Sequence, residues 1–437
     1  MTAIIPPSPP QITPARTLRE LIHNCDKDAP LLSGDPRFED LSPGRGDRVT
    51  EMIARDIEGQ RPREFVHIAF VSHRGAGKST EIRRIESLTA GHCQAVYLEA
   101  TVEMDPMRIE AEDLLLNMAL AVEREMRRIG KPLPKDLLDR VEKWFADAVK
   151  TTNWATNYNA EIAAGAEGKI EIPFLGSLFA QTRALLKHES DYRAEVKQVL
   201  KKYPGTLLQS VNELLDAAHR LLGDRRILII VDNLDRYDPS IIDNLLVVGA
   251  DRIRAMRCHL ILTPPISLLL QPRSAQLEEC YDCYDLFTVR LRRPDQRYDE
   301  FDGPGRDLLE KTLAKRIDLG VMIPDNEIRD RLIAASGGGI RELLELVQSS
   351  ARYASGEVIG EADAERAISR RKQRLRDQIN INGWWPTLRD IAETKQVSHD
   401  KHCLDVLFHR LAFKYNGDGW YDVHPLIAEL PEFRPPA

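Results

Sequence analysis

Apolar residues occur along this chain in two patterns: short unbroken runs, and longer stretches in which they return every three or four positions. The run Phe65 to Val71 (FVHIAFV) has the length and β-branched or aromatic content of a strand buried on both faces. Ile227 to Val231, inside ILIIVD, is a second such run. Gln94 to Ala100 (QAVYLEA), His259 to Thr263 and Leu286 to Leu291 (LFTVRL) are further strand candidates. Helical spacing lies between them. Val49, Met52, Ile53 and Ile57 share one face, and so do Ile82, Ile85 and Leu88. Asp105-Pro106 opens a long helix carrying Leu114, Leu115, Met118, Val122 and Met126. Leu207, Val211, Leu214, Ala218 and Leu221 make another face, and Asp238-Pro239-Ser240 opens a helix that runs to about Ala255. Strands alternating with helices predict an α/β fold built on a parallel sheet.

Strand signals stop at Arg292-Arg293-Pro294. Gly303 to Ala367 is helical, with Leu308, Leu309, Leu313, Ile328, Leu332 and Ile333 inward, and Glu361 to Gln378 reads as a connecting helix. The last segment has the pattern of a winged helix: Thr387 to Lys395, His399 to Leu411, then two aromatic-rich strands around Asn416-Gly417-Asp418-Gly419. Leu404, Leu407, Phe408 and Leu411 are its expected core. The division expected is a flexible Pro-rich arm over 1–18, an α/β core over 19–294, a helical lid and connecting helix over 295–380, and the winged helix over 381–437. A helical insertion at about 102–222 interrupts the core. Its stretch Thr151 to Gly176 is small and polar, suiting either partner or self contact or a structural elaboration.

The chemistry sits where the first strand ends. Ser72-His73-Arg74-Gly75-Ala76-Gly77-Lys78-Ser79-Thr80 joins that strand to a helix, the arrangement strand, Gly-containing loop, Gly-Lys-Ser/Thr, helix. Gly75 and Gly77 allow successive amides to turn toward an anion, and the helix start adds its positive end. Lys78 would reach the β- and γ-phosphates of ATP, Ser79 would place its hydroxyl on Mg²⁺, and Thr80 would steady the first turn. Ser72 stands where the full pattern has glycine. Asp232, at the end of the second unmistakable strand, is placed to hold the metal through water. Asn233 follows it and cannot accept a proton, so Asp235 becomes the candidate base or water-orienting group; an N-cap or a salt bridge to Arg236 is its alternative. Thr263 is a candidate γ-phosphate sensor or a structural residue. Arg273 would reach a neighbouring subunit's nucleotide in an oligomer. Arg341, after Ser336-Gly337-Gly338-Gly339-Ile340, would bring a cation from the lid, or else pair with Glu342 or another acid. These residues predict a P-loop NTPase: a three-layer parallel sheet with a helical insertion, a helical lid and a C-terminal winged helix.

Composition narrows the partners. The 437 residues carry a net charge of −7, so no global attraction to nucleic acid or anionic membrane is expected. No run approaches the roughly 20 apolar residues of a membrane helix, and the first residues lack a signal-peptide core, so a cytosolic protein is expected. Six scattered cysteines suit reduced thiols, and Cys280-Tyr-Asp-Cys283 has no second pair to complete a zinc site. The run RRKQRLR, Arg370 to Arg376, is a solvated helix face or a nucleic-acid contact. Between Asn382 and Ala437 there are six Lys and Arg against eight acids. Protein–DNA binding neutralises on the order of 6 to 10 phosphates, so a protein contact or nucleotide-state signalling is preferred for this segment over a duplex.

With SHRGAGKST, IIVDNLDR, GGGIREL and the winged-helix pattern in place, the chain resembles bacterial P-loop ATPases on the border of the AAA+ and STAND classes, including origin-recognition-like AAA+ proteins. The resemblance spans Phe38 to Leu430. VDNLDR, with its second acid three residues on, looks more like STAND and KAP ATPases than like AAA+ proteins with adjacent Asp-Glu. The resemblance implies an ATP-gated switch that assembles or remodels partners. A DNA-binding loader and a scaffold with little turnover are the alternatives.

Overall fold

The computed structural model describes residues 12–141, 204–416 and 419–433, apart from residues 29, 106 and 108. Thr151 to Gly176 and the tip of the last hairpin, residues 417–418, lie outside them. At the centre is a parallel sheet of β1 (His67–Ser72), β2 (Cys93–Glu99), β3 (Arg226–Asp232), β4 (His259–Leu262) and β5 (Asp282–Leu286), ordered β2-β3-β4-β1-β5. After α1 (Leu18–Asn24), which packs on the later helix Ile340–Tyr353, helices α2 (Val49–Glu58), α3 (Lys78–Leu88), α4 (Ala111–Arg128) and α5 (Pro204–Leu222) flank it. Alternate side chains of a strand point to opposite faces, and both faces are covered. Ile68, Phe70, Leu228 and Ile230 pack with Val49, Ile53, Ile82 and Ile85. Ala69, Val71, Ile227 and Ile229 join Leu114, Met118, Val211 and Leu214 in the larger core. This is the three-layer α/β fold of a P-loop NTPase.

Several elements depart from the sequence pattern. The long helix begins at Ala111 instead of following Asp105, because Asp113 Oδ2 accepts the Glu110 N–H at 3.0 Å and closes the helix start there. Asp105 caps a turn instead, accepting from Met107 N at 2.8 Å. The helix after Asp238 breaks into Pro239–Asp243, a π-turn Asn244–Val248 and Ala250–Arg254. Met52 and Leu221, expected inside, are 43% and 37% exposed, and Leu222 takes the inward place. The fifth strand is Asp282–Leu286, paired from Ile68↔Asp282 to Ser72↔Leu286, and not Leu286 to Leu291. An edge strand has one neighbour, so DCYDL stays half-buried and lacks an apolar signature. Thr288 and Arg290 instead donate from a loop to Lys414 O and Gly44 O.

Beyond the sheet come α6 (Gly305–Ala314), α7 (Asn326–Ala335), α8 (Ile340–Tyr353) and α9 (Glu361–Asn382). Leu309, Leu313, Leu332, Ile333, Leu343 and Val347 are buried at helical spacing. The chain ends in α10 (Trp385–Thr394), α11 (Lys401–Phe408) and the antiparallel hairpin β6 (Ala412–Lys414) and β7 (Tyr421–Val423). Leu407 and Leu411 are buried as expected. Leu404 and Phe408 are only half-buried, while Cys403 and Val406 take the inward positions. At the other end, the described part of the Pro-rich arm is pinned: Ala15 is buried, its N–H donates to Arg316 O, and its carbonyl accepts from Asp318. No helix among the described residues is long and apolar enough to cross a membrane.

Candidate functional site

The site is built at the C-terminal ends of β1, β2 and β3, where a parallel sheet presents loops and helix starts. β1 runs into the loop at Ser72, whose backbone is not left-handed, so a side chain is tolerated where the full motif has glycine. The left-handed positions are Gly75 (φ 82°) and Gly77 (φ 97°). Gly75 is also required by space, since a Cβ there would lie 2.6 Å from Arg341 Cβ. Ala76 N–H turns back to His73 O, whereas the amides of Gly75, Gly77, Lys78 and Ser79 donate to no other described residue. They cluster at the start of α3, a ready anion cradle. A cavity of about 220 Å³ opens over them. Eight cationic side chains and six carboxylates line it, a balance that suits a polyanion held with a cation.

Three carboxylates converge at the strand ends, in different states. Lys78 Nζ meets Asp235 Oδ2 at 2.8 Å, a buried ion pair, so Asp235 pairs with the loop lysine and not with Arg236. Arg74 Nε donates to the Asp235 carbonyl at 2.7 Å and fixes this turn. Asp232 is 1% exposed and does not line the cavity. Its Oδ1 accepts from Asn233 N–H (2.8 Å) and Thr263 Oγ1 (3.2 Å), and its Oδ2 from Tyr97 OH (2.7 Å). Burial and the adjacent Asp232 charge push the Tyr97 hydroxyl pKa up, keeping it a donor. Thr263 is thus spent on Asp232 and lies off the cavity wall. Glu99, opposite Asp232 in the β2–β3 register, does line the cavity and accepts from Asn233 Nδ2 at 3.0 Å.

The residues predicted around the loop fall into two groups. His73, Arg74, Gly75, Gly77, Lys78, Ser79, Thr80, Asp235 and Arg341 line one cavity. Arg273 does not; it is exposed and pairs with Asp243 at 3.1 Å. Arg341 lines the cavity and also pairs with an acid, which is Asp28 (3.1 Å) and not Glu342, and it donates to Lys27 O (3.2 Å). Glu342 is buried against Arg371 of α9, with His424 Nε2 3.4 Å away. Burial alone would raise its pKa, but His424 and Arg371 overcome that and hold it well below the usual carboxylate range. His73 is buried, accepts the Lys414 N–H at Nε2 (2.8 Å), and stands edge-on to Phe413. Arg74 lies over the Phe408 ring, 4.1 Å from its centroid.

Sequence reasoning missed the wall formed by Asp26 to Asp28, Pro30, Leu31 and Arg37 to Glu39, together with Arg45, Tyr97, Glu99 and Arg316. Arg45 binds Glu81 (2.9 Å) and the Ala76 carbonyl from a short turn that carries no motif. Thr80 Oγ1 accepts the Leu31 N–H at 3.2 Å, which ties the wall to α3. Glu99 had a legible signal: it is a carboxylate near the end of a predicted strand, the same mark that singled out Asp232.

The residues present suit Mg²⁺. Asp232 is a buried carboxylate whose hydrogen-bond partners are all uncharged, and the Ser79 hydroxyl lines the cavity beside the free amides. Hard oxygen donors of this kind are what Mg²⁺ takes, with water completing its shell.

No protein-family model matches this chain, and no curated protein matches it. Among solved structures it is similar to Cdc6p from Pyrobaculum aerophilum (12% identity, covering 90% of this chain and 93% of that one, TM-score 0.39). It is also similar to the Walker-type ATPase PABY2304 of Pyrococcus abyssi (11%, 93% and 99%, 0.44). A third similarity is to the Aeropyrum pernix ORC1 protein in complex with DNA (12%, 94% and 93%, 0.40). These likenesses are remote.

Proposed function

We propose that this protein binds and hydrolyses Mg-ATP and uses its nucleotide state to set the position of its C-terminal unit, as a molecular switch. In this reading the free amides from Gly75 to Ser79 and the Lys78 ammonium take the phosphates. Ser79 and, through water, Asp232 hold Mg²⁺, which when bound neutralises charge on the phosphate oxygens. Arg341 is the cation of a helical lid over 295–380, and residues 381–437 are a winged helix.

One observation carries the switch: the loop that would cradle the phosphates is itself in contact with the elements that would move. Gly75 touches the first turn of α8 at Arg341, His73 accepts from Lys414 of the hairpin, and Arg74 covers Phe408 of α11. The cavity, about 220 Å³, is also smaller than the about 300–1,000 Å³ of ordinary ligand pockets, which suits a wall that opens around a nucleotide. A ligand shifts such an equilibrium only by binding one arrangement more tightly. Lys78→Ala is expected to abolish ATP binding in titration calorimetry, and hydrogen exchange over residues 401–424 is expected to change on adding ATP. Unaltered affinity in the variant would remove the nucleotide reading, and unaltered exchange would remove the switch.

Two further features belong to this reading. Arg273, exposed and off the cavity, would exchange its Asp243 partner for the nucleotide of a neighbouring subunit in a homo-oligomer; mass photometry with ADP and then ATP tests this. A DNA partner is disfavoured because three of the five cations in Arg370 to Arg376 are spent internally: Arg371 on Glu342, Lys372 on Glu429 and Arg376 on Glu432.

A further inference from the structure

We infer that Glu99, not Asp235, is the base that deprotonates the attacking water, and that Asn233 is the residue that positions it. The inference rests on the proposed ATP reading and names the catalytic group within it.

The three strand-end carboxylates separate by their partners. Asp232 is off the cavity wall, its Oδ1 accepting from Asn233 and Thr263 and its Oδ2 from Tyr97, which suits a water-mediated hold on the metal and not contact with the attacking water. Asp235 is bound to Lys78. Its carboxylate is turned onto that lysine through Oδ2 and its carbonyl is held by Arg74 Nε, which commits the turn to positioning Lys78. Glu99 remains. It lines the cavity with Lys78 and Ser79, and both of its hydrogen bonds among the described residues fall on Oε1: Asn233 Nδ2 at 3.0 Å and Thr101 Oγ1 at 3.1 Å. Oε2 therefore keeps its acceptor capacity, and no cation pairs with Glu99 among the described residues.

Asn233 is built to aim it. Its backbone is left-handed (φ 66°), a conformation asparagine tolerates better than most residues. Its own N–H is anchored on Asp232 Oδ1, so its side chain is directed across to the neighbouring strand. An amide at this position cannot take a proton, but it can hold the carboxylate that does. In the step, Glu99 Oε2 takes one proton from water while the water oxygen bonds to the γ-phosphorus. The bond from that phosphorus to the β,γ-bridging oxygen breaks, and its electron pair leaves on ADP. Glu99 then returns the proton to the released phosphate, so one ATP and one water give ADP and inorganic phosphate.

The test compares the full chain with Glu99→Gln and Asn233→Ala. Glu99→Gln keeps shape and is expected to lower phosphate release from Mg-ATP about 100-fold or more, with ATP affinity by calorimetry within about 3-fold of the parent. Nucleotide recovered with the variant after desalting should be ATP where the parent yields ADP. Asn233→Ala removes a donor that favours the ionised carboxylate, so the acid limb of the pH–rate profile should move to higher pH. A merely structural role would lower the rate and leave the limb in place. Parental turnover in Glu99→Gln, or an unmoved limb in Asn233→Ala, overturns the inference. A parent chain that neither binds nor cleaves ATP overturns the underlying reading instead.

Discussion

At the scale of single residues, the Lys78–Asp235 pair is the most consequential contact in the site. Two charges sit out of water with each other as partner, and they are stable only as a pair. Asp235→Ala should cost the unliganded protein about 3–5 kcal/mol, because the lysine is left uncompensated. ATP phosphates would supply the missing negative charge. The rise in melting temperature on adding ATP should therefore be larger in Asp235→Ala than in the parent, and scanning fluorimetry measures both. An equal rise would mean that Lys78 does not meet the phosphates. The sequence led to both residues, but their pairing was not legible: Asp235 neighbours Arg236 in the chain, whereas Lys78 reaches it only through the fold.

At the scale of elements, the informative unit is the contact between the phosphate-binding loop and the last hairpin. His73 contributes an acceptor for Lys414 N–H and an aromatic edge to Phe413. His73→Ala should loosen the hairpin, seen as faster hydrogen exchange over residues 412–424 with β1 unaffected. The central strands β1, β3 and β4 were legible because they are buried on both faces and read as apolar runs, and the edge strand β2 because it still carries the buried apolar residues Val96 and Leu98. β5 was placed a few residues late, because an edge strand with half-exposed Asp282 and Tyr284 has no such signature. The start of α4 was misread for a related reason. Asp105-Pro106 has the residues of a helix start, but the cap is closed by Glu110 and Asp113. Capping residues specify where a helix can begin, and tertiary packing decides which of them is used.

At the scale of the molecule, two buried imidazoles tie stability to pH. Burial, and after it the Lys414 ammonium, pushes His73 down to about 3; burial and then Arg226 push His259 to about 3 as well. Unfolded imidazoles take up a proton near pH 6.5, and the folded ones do not. Their contribution is therefore full above pH 6.5 and is lost as pH falls toward 3. The loss should approach ~2 kcal/mol per histidine by pH 5. Urea midpoints at pH 7.5 and pH 5 measure this, and His259→Asn, which cannot titrate, should reduce the difference. At this scale, too, the basic run takes its meaning from the fold, since Glu342, Glu429 and Glu432 are far from it in sequence and adjacent in space.

The segment ahead of the core bears on how the protein is handled. Ala15 is stitched to Ile317, Lys27 to Glu345, and Asp28 to the arginine of the α8 first turn. An amino-terminal deletion that looks harmless on paper, trimming proline-rich sequence up to residue 30, would strip one side from the cavity and release the lid from its tether. Shortened versions of this chain should accordingly show altered nucleotide exchange before they show any loss of the sheet.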